Sequence, residues 1–181
     1  MRHEIEEKMQ KTIEATRRHM ATIRTGRANP DLLSRIHVDY YGSEVPLQQV
    51  ASISVPEAMT LVLNVFDKGA VKAIEKAIQT SDLHLTPMTE GNLIRLRLPE
   101  LTEDRRKDLV KLVKKHIEDS KVAVRNIRRD AVEDAKHQEK DKQLSTDESK
   151  HLQQDIQKLT DQYIEKLDHL AKEKEAEILK I

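Results

Sequence analysis

Thr102-Glu103-Asp104-Arg105-Arg106-Lys107-Asp108-Leu109 opens a stretch of chain that contains no glycine and no proline up to Ile181. A capping hydroxyl followed at once by two acids is the usual entry to a helix. Leu109, Val113, Ile117, Val124, Ile127 and Ala131 then recur at helical spacing. Ser145-Thr146-Asp147-Glu148 repeats the entry signal, and Leu152, Ile156, Leu159, Tyr163, Leu167, Leu170 and Ile178 carry a second stripe to the end. The spacing predicts two long helices, ~103–142 and ~146–180, joined by a short corner. A third stripe stands at the other end of the chain: Ile5, Met9, Thr12, Thr16, Met20 and Ile23 predict a helix over ~2–26, stopped by Gly26 and Pro30. None of the three can bury its face alone, so they pack on one another as a bundle.

Between them the texture changes. Ile36–Tyr40, Val50–Val55, Leu61–Val65 and Leu93–Leu98 are β-branched or alternating runs separated by Gly42, Pro46, Pro56 and Gly69. Val71, Ile74 and Ile78 mark one short helix. The expectation is an α+β chain: a long antiparallel three-helix bundle from residues 1–29 and 103–181, with a small β/α/β domain inserted over residues 30–102. Two crossings, 28–31 and 99–104, join them as a hinge through Ala28, Asn29, Pro30, Leu101, Thr102 and Glu103.

Composition narrows the chemistry. The 181 residues include no Cys, no Trp, four Gly and eight His. Disulfides, thiolate nucleophiles and Cys-ligated zinc are excluded. No two histidines lie three or four apart, so no single helix face carries a metal pair, and four scattered glycines build no phosphate loop. Catalytic residues, metals and cofactors are expected to be absent. No run approaches the ~20 apolar residues of a membrane span and the N-terminus lacks an apolar signal core, so a cytoplasmic location without a membrane partner is expected.

Thirty-two basic and thirty-two acidic residues cancel, but not locally. Residues 1–30 carry +3, residues 31–103 carry −4, residues 104–129 carry +6 and residues 130–181 carry −5. Inside the basic block, Lys121, Arg125, Arg128 and Arg129 fall on one side of the helix with no acid between Lys121 and Asp130. Lys111, Lys114 and Lys115 extend the block. Arginine offers planar, multidentate donors to phosphate, so a nucleic-acid backbone is one reading and interhelical or surface charge the other. Arg24 and Arg27 form a second candidate, with complementation of a helix C-terminus as its alternative. Four aromatic residues are too few for binding driven by base stacking, which favours a structured RNA read by shape. Tyr40-Tyr41-Gly42 is read as a strand end and turn, against a stacking platform. A protein that uses its stripes only to bind another helix is the rival class.

Thr22-Ile23-Arg24-Thr25-Gly26-Arg27-Ala28, Asp39-Tyr40-Tyr41-Gly42, Leu101-Thr102-Glu103-Asp104-Arg105-Arg106-Lys107 and Val122-Ala123-Val124-Arg125-Asn126-Ile127-Arg128-Arg129-Asp130-Ala131 together resemble the signature blocks of the bacterial ribosome recycling factors. Lys140-Asp141-Lys142-Gln143-Leu144-Ser145 is similar to that family's interhelical corner. The resemblance runs the length of the chain and departs at Val132-Glu133, where the family often has Asn-Asp. It implies an L-shaped molecule resembling transfer RNA in outline. It also implies a non-catalytic translation factor that works after termination, with elongation factor G and GTP hydrolysis, to split the subunits. The implied partner is the large subunit, bound at its 23S rRNA through Arg125, Arg128 and Arg129 with Arg24 and Arg27 near them. The factor is expected to act as a monomer, without DNA.

Overall fold

The computed structural model describes residues 1–180. Ile181, the last residue of the expected bundle, lies outside the described residues. Among the described residues, four α-helices, six strands and three short 3-10 turns divide between two compact units: Met1–Met20 with Val110–Ala176, and Ala21–Leu109 with residues 177–180.

The first unit is built from α1 (Arg2–Ala21), α3 (Glu103–Lys140) and α4 (Thr146–Leu179). Its direction can be read from side-chain pairs. Thr16 meets Ser120, with their hydroxyls 2.6 Å apart, and His19 meets His116, with ring centroids 3.6 Å apart, so α1 and α3 run antiparallel. Lys121 meets Asp168, Arg128 meets Gln157 and Ser149 meets Ala135, so α3 and α4 are antiparallel too. Arg2 beside Asp155 and Gln10 beside Tyr163 make α1 and α4 parallel. An up-down-up bundle follows. Its axis is filled by Met9, Ile13, Val113, Val124, Ile156 and Leu167, each worth ~1.5–3 kcal/mol in transfer free energy. Ile13 takes the place in the stripe expected for Thr12, which is only half-buried.

The helix starts follow the sequence. Thr102 Oγ1 accepts from Arg105 N at 3.1 Å and Ser145 Oγ from Glu148 N at 3.1 Å. The end of α1 does not: the helix stops at Ala21, five residues before Gly26. Thr22, Ile23 and Thr25 are β-branched, and three poor helix formers in four residues end the helix before glycine has to.

The second unit holds more β structure than expected. β1 (His37–Tyr40) pairs with β2 (Ser43–Pro46) as a hairpin. β3 (Ala51–Glu57), β4 (Thr60–Val65), β5 (Pro87–Glu90) and β6 (Leu93–Arg97) form one antiparallel sheet in the order β3-β4-β6-β5. Helix α2 (Val71–Gln79) completes the unit. β2 and β5 were not expected, because Ser43-Glu44-Val45-Pro46 and Pro87-Met88-Thr89-Glu90 carry prolines and acids in place of an apolar alternation. Both are peripheral strands, the positions at which proline is tolerated. Leu33, Val38, Leu47, Leu61, Leu63, Ile74, Ile78, Ile94 and Leu96 form the core of this unit.

Candidate nucleic-acid interface

The basic block of α3 separates into two groups. At ~100° per residue, Lys121, Arg125, Arg128 and Arg129 span an arc of about 100°, with Lys121 and Arg128 at one edge and Arg129 at the other. The first edge faces α4. The Lys121 amine lies 2.5 Å from Asp168 Oδ1 and its side chain is only 17% exposed. Arg128 Nε donates to Gln157 Oε1 at 2.6 Å, and Gln157 Nε2 donates on to Asp161 Oδ1 at 2.9 Å. The other edge faces solvent. Arg125 and Arg129 are exposed, in one row with Lys111, Lys115 and the exposed Val122. Glu118 Oε1 stands 3.6 Å from Arg125 Nη1, with both side chains more than half exposed, a pair too well solvated to hold the arginine back.

The block therefore divides by position into an edge paired with α4 and an edge open to solvent. Interhelical pairing describes Lys121, and a cationic surface describes Arg125 and Arg129. Arg128 serves both, since its bond to Gln157 uses only Nε and a guanidinium carries five N–H donors. Gln157, Asp161 and Asp168 are the site residues that sequence reasoning missed.

Arg24 and Arg27 lie in the second unit, beyond the end of α1. Arg27 is exposed. Arg24 is half-buried: its Nη2 donates to the Pro99 carbonyl, tying one crossing to the other, and its Nε is buried without a hydrogen-bond partner. Burial, and secondarily the nearby Arg105, hold the Arg24 guanidinium below the usual arginine pKa. Both residues follow the end of α1 at Ala21, so neither belongs to its last helical turn.

The crossings are pinned on the sheet side. Ala28 N donates to Ala58 O at 2.6 Å, and Leu98 N to Met59 O at 2.8 Å, both at the β3–β4 turn. Asn29 Oδ1 accepts from Asp31 N at 3.0 Å and caps the 3-10 turn that Pro30 begins. Leu101 is half-buried and Glu103 exposed, 3.7 Å from Lys107.

Among the described residues no group of three or more His, Asp or Glu is placed to hold a metal ion, and no helix is long and apolar enough to cross a membrane. The model for the family described as ribosome recycling factor matches residues 16–179. The chain belongs to the ribosome recycling factor family. It is 54% identical to the ribosome-recycling factor of Bacillus licheniformis over 179 residues, covering 99% of this chain and 97% of that one. Against the Bacillus subtilis factor it is 52% identical, covering 97% and 95%. A solution structure of a ribosome recycling factor superposes with a TM-score of 0.78 at 44% identity, over 99% of this chain and 96% of the other. The T. thermophilus ribosome recycling factor, in models that include E. coli elongation factor G bound to the E. coli post-termination complex, superposes with a TM-score of 0.67 at 48% identity, covering 97% and 95%. These likenesses carry the α+β class and the role in ribosome recycling.

Proposed function

We propose that the protein binds the post-termination ribosome through the solvent face of α3, with Arg125, Arg128 and Arg129 on phosphates of the large-subunit RNA. With elongation factor G and GTP, it then splits the subunits and releases the messenger. The observation that carries this reading is the exposed row of Lys111, Lys115, Arg125 and Arg129 in a chain of the recycling-factor family. Cations on a rigid helix position a protein on an RNA backbone without reading its bases. The protein contributes no covalent chemistry, and the hydrolysis of GTP belongs to the partner.

The crossings at 28–31 and 99–104 act as a hinge, through Ala28, Asn29, Pro30, Leu101, Thr102 and Glu103. The bundle anchors, and the sheet-bearing unit is the lever. Polysome breakdown with purified elongation factor G and GTP is the test. Conversion of polysomes to free subunits only when all three components are present supports the reading, and no acceleration over elongation factor G alone contradicts it.

A further inference from the structure

Three of the chain's four aromatic residues, Tyr40, Tyr41 and Phe66, gather at one place on the second unit. Tyr41 is 75% and Phe66 66% exposed, an unfavourable position for large rings in a chain that otherwise spares them. The arrangement is also held against strain. Tyr41 has φ 51°, in the left-handed region that bulky side chains avoid, followed by Gly42 at φ 86°. Asp67 Oδ2 accepts from both tyrosine hydroxyls at 3.0 Å, and Asp67 Oδ1 from Gly69 N at 2.9 Å. The two tyrosine rings meet edge to face, with centroids 4.6 Å apart. A Cβ on Gly69 would stand 2.6 Å from the Tyr41 hydroxyl, so glycine keeps that place open for the ring.

Tyr40, Val45, Val50 and Phe66 wall a groove of about 140 Å³, with Gln49 and Asp67 as its polar groups. Small-molecule sites run to ~300–1,000 Å³, so this one has room for a single side chain. Aromatic walls with a carboxylate and an amide oxygen suit a flat cation, because a guanidinium stacks on rings and donates in its plane to oxygen. Asp39 and Glu44 flank the same hairpin, and residues 31–103 carry net −4, which disfavours an RNA phosphate here. We propose that this groove is a socket for one arginine side chain of a protein partner in the recycling complex, stacked between Tyr40 and Phe66 and hydrogen-bonded to Asp67 and Gln49. The proposal rests on the recycling reading above.

Full-length protein with p-benzoylphenylalanine in place of Phe66, photolysed on purified post-termination ribosomes with elongation factor G and a non-hydrolysable GTP analogue, tests it. The expected adduct is with a protein, at a peptide that carries an arginine next to the attachment point. An adduct with RNA, or none, overturns the socket. Phe66→Ala leaves the core intact and is expected to slow splitting about tenfold, the scale of one interface hot spot. Splitting at the wild-type rate overturns the socket. A wild type inactive in splitting overturns the recycling reading instead, and the socket is then decided by the cross-link alone.

Discussion

Asp67 shows how much one side chain organises here. Its carboxylate gathers the Gly69 amide and the hydroxyls of Tyr40 and Tyr41, and these donors, in that order, hold its pKa below the ordinary carboxylate value. A folded-state pKa below the unfolded one means that the stabilisation is complete above the unfolded value near 3.8 and is lost as pH falls through the folded value. The stability advantage of wild type over Asp67→Asn is therefore expected to be flat at neutral pH and to narrow in acid. Urea unfolding of both proteins between pH 2 and 7 checks this, and an advantage that grows in acid contradicts it. In the same way Arg128 depends on a residue outside its own helix: its Nε is held by Gln157, 29 residues away. A single helix read by its period cannot carry that information.

At the scale of elements, the three long helices were legible because each repeats apolar residues every three or four positions, and α3 and α4 also open on a hydroxyl cap. Thr102 and Ser145 do what their types predict. The α2 helix was legible from the spacing of Val71, Ile74 and Ile78, and the four apolar strands from their β-branched or alternating runs. β2 and β5 were not, since Ser43–Pro46 and Pro87–Glu90 become strands by pairing with stronger neighbours. The end of α1 was misplaced because glycine was weighed above the β-branched residues before it. Burial gives these elements their strength: Leu167 in α4 is completely buried. Leu167→Ala is expected to cost about 2–5 kcal/mol through lost transfer and the cavity left behind. Chemical denaturation measures it, and a cost below about 1 kcal/mol would mean that α4 does not pack as described.

At the scale of the whole molecule, the chain forms two compact units and crosses between them, and the proposed division into anchor and lever follows those units. A chain without cysteine allows this division to be tested cleanly. Asn29→Cys with Thr102→Cys, bridged by a bismaleimide, is expected to bind ribosomes as the unbridged double variant does and to lose splitting. Retained splitting would show that the crossings are not the pivot. The neutral total charge has its explanation at this scale too. The +6 of residues 104–129 is concentrated on α3, while residues 31–103 and 130–181 carry the compensating acids.

On the proposed reading, the exposed cations of α3 anchor the protein on RNA phosphates. Ribosome affinity of Arg125→Ala/Arg129→Ala across a series of salt concentrations tests it most directly. Loss of two phosphate contacts is expected to weaken binding and to reduce the slope of log affinity against log salt by about 1 to 2. An unchanged affinity with an unchanged slope would contradict the claim.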